Sequence, residues 1–97
     1  IYCRGRATTA QCLDAARRFY AGRAFIRVTD KPPQTKWATG SNPAFVSYAA
    51  DPARNPGNAM GVAGNLGKGA AGQAMQNAKL ICGLPEASGL DGAPVWP

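Results

Sequence analysis

The 97-residue sequence contains no histidine, only five acidic residues and only three cysteines. Without histidine, the chain lacks the base that most often activates a nucleophile, and its three cysteines form no close pair that would suggest a zinc site. No catalytic residue and no metal site are therefore expected. The cysteines, Cys3, Cys12 and Cys82, form no close pair, which favours free, buried thiols in a reducing cytoplasm over a disulfide framework. No apolar run approaches the roughly 18 residues of a membrane helix, and no signal peptide is recognisable, so no membrane role is implied.

Positive charge dominates, since eleven Lys and Arg residues against five acids give a net charge of +6. The cations are scattered, with no run longer than Arg17-Arg18, so nucleic acid is not the favoured partner, although a small basic nucleic-acid binder stays an alternative. Small anionic substrates are favoured, because phosphates and carboxylates bind arginine side chains and backbone amides. The hydrophobic fraction of 45% indicates a folded domain. Because the sequence starts at Ile1 in a strand-like run, we expect it to be part of a longer chain.

Residue patterns predict an α+β fold with a mostly antiparallel sheet and two main helices. Four segments have the composition of strands: residues 1–4, 25–29, 45–49 and 59–63, the last two paired as an antiparallel hairpin. Three kinds of connection are expected: turns at residues 31–33 and 51–58, extended chain at residues 35–39, and an extended surface segment at residues 87–97.

The first helix is predicted over residues 9–21. Thr8 and Gln11 have the spacing of a capping box at its start, and Gly22 is expected to end it. Its inner face is expected to hold Cys12, Leu13, Ala16, Phe19 and Tyr20.

The glycine-rich segment from residue 64 to residue 89 is the most informative part of the chain. Four glycines are expected to take positive φ and turn their amides outward: Gly64, Gly67, Gly69 and Gly72. A helix beginning near Lys68 would then bring free N–H groups, a positive dipole end and an ammonium together, which favours anions and polar amides. Gly83 is the expected C′ residue. One buried stripe is predicted from the apolar spacing: Ala71, Ala74, Met75, Ala78, Ile81 and Cys82.

Four motifs in this order resemble the carboxy-terminal part of N-acetyl-gamma-glutamyl-phosphate reductase, and more distantly aspartate-semialdehyde dehydrogenase. The motifs are residues 2–4 followed by a helix, residues 25–28 (FIRV), residues 40–42 (GSN) and residues 65–74 (NLGKGAAGQA), with Gly-Leu-Pro-Glu ending at Glu86. The resemblance implies that residues 1–97 are a partial catalytic and dimerisation domain of an NADP-dependent oxidoreductase of arginine biosynthesis, which reduces an acyl phosphate to a semialdehyde.

The resemblance also implies that the nucleotide-binding domain is absent from this chain, which alone is expected to be inactive. The expected partners are a small anionic substrate and either further copies in a homo-oligomer or the missing nucleotide-binding domain. The alternative is a non-catalytic binding or assembly module that retains the fold.

The resemblance places one set of residues against the nicotinamide end of NADP: Asn65, Leu66, Lys68 and Gly69. An Asn amide can both donate to and accept from a carboxamide, but Asn65 could equally cap the helix or form a turn. Lys68 could steer the substrate's phosphoryl group or the cofactor, or it could be a solvated lysine in the first turn of the helix.

A second set is assigned to the substrate: Arg27, Gly40, Ser41 and Asn42. The Arg27 guanidinium could hold a carboxylate or phosphate in two parallel bonds, or it could be an exposed arginine on a sheet face. Turn chemistry alone would also explain the Gly-Ser-Asn triplet.

Two further matches are not assigned a function. Ser41-Asn42-Pro43 resembles the segment that carries the nucleophilic cysteine in these reductases, but Ala44 follows it and no thiol does. Gly67-x-Gly69-x-x-Gly72 has dinucleotide-loop spacing but no complete βαβ unit, so it is interpreted as the start of a helix.

The chain departs from the family pattern in two places. Residues 55–58 (NPGN) replace expected aliphatic residues, which is expected to fray the return strand. Gly64 replaces an aspartate, which removes a carboxylate beside the loop.

Overall fold

The computed structural model describes residues 1–51, 53 and 56–95. Its elements, in chain order, are β1 (Tyr2–Arg4), α1 (Thr9–Phe19), β2 (Ile26–Val28), a 3-10 helix (Thr35–Trp37), β3 (Ala44–Ala50), β4 (Pro56–Ala63) and α2 (Ala71–Ile81). This order confirms the predicted α+β class. Parts of the predicted turn at residues 51–58 and of the predicted surface segment at residues 87–97 lie outside the described residues, namely Pro52, Arg54, Asn55, Trp96 and Pro97.

The four strands form one sheet in the order β1-β4-β3-β2. The β1–β4 and β3–β4 pairs are antiparallel, and β2–β3 is parallel, so the sheet is mixed and mostly antiparallel, as predicted. In the predicted hairpin, Phe45 pairs with Val62 and Ala49 pairs with Asn58.

The extended segment predicted at residues 35–39 is wrong. The amide of Trp37 donates to the Gln34 carbonyl at 3.0 Å, and that of Ala38 donates to the Thr35 carbonyl at 3.1 Å. These bonds close a 3-10 turn, Thr35–Trp37, in the crossover between the parallel strands β2 and β3.

The predicted fraying of the return strand is also wrong, and so is the turn predicted at residues 56–58, because these residues begin β4 and pair with β1. Tyr2 lies opposite Asn58, and Arg4 lies opposite Pro56. Proline is tolerated at the first residue of a strand, which is the position of Pro56. The β1–β4 pairing continues past Tyr2, since the Ala59 amide donates to the Ile1 carbonyl at 2.9 Å.

Helix α1 begins with the predicted capping box. The Gln11 amide donates to Thr8 Oγ1 at 3.2 Å, and the Thr8 amide donates to Gln11 Oε1 at 2.9 Å. The helix ends at Phe19, two residues before the predicted end, and Gly22 follows with φ of 74°. Thr9 Oγ1 accepts from the Ala50 amide at 2.9 Å, which joins the start of the helix to the end of β3.

The core is small, and helix α1 packs over strands β2 and β3. Its buried hydrophobic residues are Leu13, Ala16, Phe25 and Ala38. Phe19, predicted on the inner face of α1, is 76% exposed, and its ring meets the ring of Tyr20 edge to face at 5.0 Å.

An open cavity of about 550 Å³ separates the end of α1 from β1 and β4. Cys3, Cys12 and Phe19 line it, which explains why Cys3 is exposed and Cys12 only half-buried. Cys82, at the end of α2, is exposed as well, so the predicted burial of the thiols is wrong. Burial raises the pKa of Tyr48, which also lines the cavity, and the neighbouring phenol of Tyr20 adds to the shift.

The molecule is flat and has a large surface for its mass. Its accessible surface is 6615 Å², whereas a compact monomer of 10.1 kDa would expose about 5300 Å². Its radius of gyration is 15.1 Å, against about 12.5 Å for a compact domain of this length. None of the helices in the described part of the chain is long and apolar enough to cross a membrane.

Candidate substrate and cofactor cleft

A cleft of about 360 Å³ lies between residues 40–42 and the start of α2. Four predicted site residues line it: Gly40, Ser41, Asn42 and Leu66. Gly67, Gly72 and Met75 form the facing wall. The structure therefore brings the Gly-Ser-Asn triplet, predicted for substrate, against the glycine-rich loop, predicted for cofactor.

The glycines of this loop are required for close approach and not for positive φ. Among the described glycines, positive φ occurs at Gly22, Gly40, Gly83 and Gly89, so the prediction for Gly64, Gly67, Gly69 and Gly72 is wrong. A Cβ atom at Gly64 would lie far inside 3.0 Å of the Ala38 carbonyl oxygen, and one at Gly67 would do the same against Ser41. The backbone of the loop thus packs directly on the backbone of residues 38–42.

Two hydrogen bonds within the loop turn amides inward. The Gly69 amide donates to the Gly64 carbonyl at 2.8 Å, and the Gly72 amide donates to the Gly67 carbonyl at 2.7 Å. The two wide turns span residues 64–69 and 67–72, and these two amides are not free for a ligand. Helix α2 begins at Ala71 and not near Lys68 as predicted.

A network of side chains connects Asn42, which lines the cleft, to Lys68, Gln76 and Glu86, which do not line it. Lys68 Nζ donates to Gln76 Oε1 at 2.5 Å, and Asn42 Nδ2 donates to the same oxygen at 3.3 Å. Gln76 Nε2 in turn donates to Glu86 Oε1 at 2.5 Å. The Lys68 ammonium also lies 5.4 Å from the ring centroid of Phe25, within cation–π range. Lys68 is therefore held in place and is not a solvated lysine of the first helical turn.

Sequence reasoning assigned no role to Gln76 or to the Glu86 side chain. Gln76 follows Gly72 by four residues, so both lie on one helix face. Gly72 thus marks the face of α2 that approaches residues 41–42. The polar residue Gln76, four positions later on the same face, was the signal in the sequence that could have indicated its role.

Ser41 and Asn42 are buried, with exposed fractions of 3% and 4%. Ser41 Oγ donates to the Ala38 carbonyl at 3.2 Å, so this hydroxyl serves the turn. Asn42 Oδ1 is buried and accepts no hydrogen bond in the described structure. Gly40 takes a φ of 70°, as a turn glycine does. Asn42 thus presents an unsatisfied acceptor beside the start of α2.

Two members of the predicted cofactor set are exposed, and only one of them, Leu66, lines the cleft. Leu66 is 78% exposed. Asn65 is exposed, and its Oδ1 lies against Gly69 so closely that a Cβ there would collide with it. The residue that caps α2 is Ala70, without a side-chain bond, so the alternative that Asn65 caps the helix is wrong.

Arg27 does not join the cleft. It lies in the middle of the edge strand β2, exposed, where its Nη1 donates to the main-chain carbonyls of Ala24 at 2.8 Å and Ile26 at 3.2 Å. Arg27 is thus separated from Gly40, Ser41 and Asn42, the other residues predicted to bind substrate, and its role in substrate binding stays a prediction.

Helix α2 buries a different face from the one its apolar spacing predicts. Gly72 is its buried residue, and Gln76 and Lys79 are half-buried. Met75 and Ile81, from the predicted stripe, are 53% and 86% exposed, so that prediction is wrong.

The predicted end of α2 is confirmed. Gly83 takes a φ of 66°, and the Leu84 amide donates to the Lys79 carbonyl at 2.9 Å. This is a Schellman motif with glycine at C′.

Among the described residues that line the cleft, Asn42 carries a buried amide oxygen without a donor, and none carries a thiol or an imidazole. Lys68 is connected to Asn42 through Gln76 and is not itself part of the lining. The proteins to which the chain is similar are oxidoreductases.

The whole chain is 82% identical to the N-acetyl-gamma-glutamyl-phosphate reductase of Methylobacterium sp. (strain 4-46) and 80% identical to that of Bradyrhizobium sp. (strain BTAi1). It is 45% identical over 93 residues to the reductase of Symbiobacterium thermophilum. The chain spans 30% of the length of the first two relatives and matches the carboxy-terminal part of the reductase. The predicted resemblance is thus confirmed. No protein-family model matches the chain.

Proposed function

We propose that this chain forms one wall of the active site of an NADP-dependent N-acetyl-gamma-glutamyl-phosphate reductase, which reduces the acyl phosphate to the semialdehyde in arginine biosynthesis. The observation that carries the proposal is the cleft itself. Gly40, Ser41 and Asn42 face the loop that holds Leu66 and Lys68, within a chain similar over its whole length to such reductases.

The side chains at and beside the cleft fit two polar, anionic ligands, the acyl phosphate and NADP. Asn42 Oδ1 is a buried acceptor without a partner, suited to an N–H of a carboxamide or of an acetylated amine. The Lys68 ammonium is suited to a phosphate. Asn65, Leu66, Lys68 and Gly69 would hold the nicotinamide end of NADP, which when bound supplies or accepts the hydride.

This part of the reductase binds and orients; it does not perform the covalent steps. Thiolate chemistry on an acyl phosphate needs an activated cysteine and a base. The sequence has no histidine, and the residues that line the cleft include no cysteine. The nucleophile, the base and the dinucleotide domain therefore belong to other parts of the active enzyme.

A role for Arg27 in binding the substrate carboxylate or phosphate is a separate part of the proposal. The Arg27 guanidinium now bonds the carbonyls of Ala24 and Ile26. A ligand would have to draw it away from them, and an anion can do so because charge-assisted bonds are stronger than neutral ones.

The first test is an assay of the purified 97-residue chain with acetylglutamate semialdehyde, NADP and phosphate. We expect no turnover, since the nucleophile and the hydride site are not supplied by this wall. Turnover would contradict the proposal.

The second test is a chimera in which this chain replaces the matching segment of the Methylobacterium reductase. We expect an active chimera in which Lys68→Met raises the KM for NADP about tenfold to a hundredfold, since a hydrogen bond to a charged group contributes about 1.5–3 kcal/mol. Asn42→Ala should raise the KM for the semialdehyde by a similar factor. The control is Lys31→Met, which removes an exposed lysine outside the cleft. A chimera without activity, or unchanged kinetics in both cleft variants, would refute the proposal.

The alternative is a non-catalytic binding or assembly module, and the large surface favours it. The chain exposes about 1300 Å² more than a compact monomer would, and apolar side chains of α2 contribute to that surface. The partners would be further copies in a homo-oligomer or a separate nucleotide-binding domain. Light scattering tests for self-association, and a pull-down tests for binding to a nucleotide-binding domain. A chain that stays monomeric and does not bind such a domain would exclude the alternative.

The proposal places the chain in the cytoplasm with a small anionic substrate and without a nucleic-acid or membrane partner. Steeply salt-dependent binding to DNA or RNA would contradict this assignment, because neutralising phosphates releases counterions.

A further inference from the structure

Gln76 is the one side chain in the described structure that hydrogen-bonds members of both predicted site sets. Its Oε1 accepts from Asn42, which the sequence assigns to substrate, and from Lys68, which it assigns to cofactor. All three side chains belong to different segments: the crossover loop, the glycine-rich loop and α2. A displacement of Gln76 would therefore affect both ligands at once.

Glu86 determines which way the Gln76 amide points. An ionised carboxylate only accepts hydrogen bonds, and a lysine ammonium only donates them. Gln76 therefore directs Nε2 to Glu86 and Oε1 to Lys68. With the amide reversed, both bonds would be lost, so its orientation follows from chemistry.

The same orientation extends to Asn42. Because Gln76 Oε1 needs a donor, Asn42 directs Nδ2 towards it at 3.3 Å. Its Oδ1 is then directed towards Gly72, buried and without a partner. The free acceptor of the cleft thus depends on Glu86 through Gln76.

We propose that Gln76, oriented by Glu86, is a positioning residue that couples the substrate half of the site, at Asn42, to the cofactor half, at Lys68. The assignment of the two halves rests on the proposed function. The hydrogen-bond relay itself does not.

The relay is tested by NMR on the 97-residue chain, through the exchange rate of the Lys68 ammonium protons and the side-chain amide signals of Asn42. In Gln76→Met, which keeps side-chain length and helix propensity, we expect Lys68 exchange to be about tenfold faster and the Asn42 amide signals to move. The matched control is Gln73→Met, an exposed glutamine of the same helix, which should leave both unchanged.

A swapped pair separates positioning from a general packing role. In Q76E/E86Q, the carboxylate at position 76 accepts from Lys68 and Asn42, and the amide at position 86 donates to it. In this swapped pair, exchange of the Lys68 ammonium protons should again be as slow as in the unsubstituted chain. Q76E alone places two carboxylates side by side, so the Asn42 amide signals should stay shifted. Unchanged signals in Gln76→Met, or equal behaviour of Q76E and the swapped pair, would overturn the relay.

In the chimera, Gln76→Met should raise the KM for both NADP and the semialdehyde about tenfold, and the swapped pair should recover at least half of the loss on a logarithmic scale. Gln73→Met should alter neither KM. A change in only one KM would refute the coupling. If the chimera has no activity, the proposed function fails, and the exchange experiment still decides the relay.

Discussion

Replacing Gly67 by alanine tests whether the glycine-rich loop is built on close backbone approach. Gly67 lacks a positive φ, so alanine fits its conformation and would by itself stabilise the fold by about 0.4–1 kcal/mol through the unfolded chain. The new Cβ would instead meet the carbonyl oxygen, carbonyl carbon and amide nitrogen of Ser41. Overpacking of this kind costs about 1–3 kcal/mol.

The upper part of that range applies, because Ser41 cannot move aside easily. Its amide and its hydroxyl both donate to the Ala38 carbonyl at 3.2 Å. After the gain of about 0.4–1 kcal/mol through the unfolded chain is subtracted from this cost, we expect Gly67→Ala to lower the free energy of unfolding by about 2 kcal/mol and Tm by roughly 10 °C. Urea and thermal unfolding followed by circular dichroism measure both quantities.

The control is Gly5→Ala, since Gly5 has no positive φ and no atom within 4 Å of an added Cβ. It should be neutral or slightly stabilising. The reasoning is refuted if Gly67→Ala unfolds at the same urea concentration as Gly5→Ala.

Three further predictions concern the rest of the fold. Gly83→Ala should destabilise by about 1–2 kcal/mol in urea unfolding, and Gly83→Asn by less, because the left-handed C′ position excludes most side chains but tolerates Asn; equal losses would contradict this. Thr9→Val should lower stability by about 1–3 kcal/mol, since the Ala50 amide would lose its acceptor, and an unchanged urea midpoint would exclude that role. Because burial raises the Tyr48 pKa above 10.0, the stability this phenol contributes is complete below pH 10 and is lost as pH rises through the folded pKa; Tyr48→Phe should flatten that decline in urea midpoints measured against pH.

Local signals in the sequence predicted the features that depend on neighbouring residues. The capping box of Thr8 and Gln11 and the Schellman glycine Gly83 were predicted at the right positions. The antiparallel pairing of residues 45–49 with 59–63 was predicted as well. The two helix caps depend on a few neighbouring residues, and the strand pairing depends on a β-rich composition. The local sequence is therefore sufficient to predict all three features.

Contacts between distant segments could not be predicted in the same way. The strand composition of residues 56–58 is poor, yet β1 is available to pair with them. The glycine pattern suggested conformational freedom because positive φ is the commonest reason for glycine, whereas the facing backbone at Ala38 and Ser41 is visible only in three dimensions. Of the predicted site, the structure joins Asn42 and Lys68 through Gln76, and it leaves Arg27 at the sheet edge.

The outward apolar stripe of α2 shows what periodicity can and cannot decide. A spacing of three to four residues shows that a helix has an apolar face, but it does not say which face this chain covers. Here the start of α2 is fixed by Gly72, whose missing side chain lets the helix touch Asn42. Since Gly72 and Gln76 share a face, that contact turns the polar side inward and leaves Ile81 exposed. The geometry of the cleft therefore determines the orientation of the helix, and the exposed stripe is its consequence.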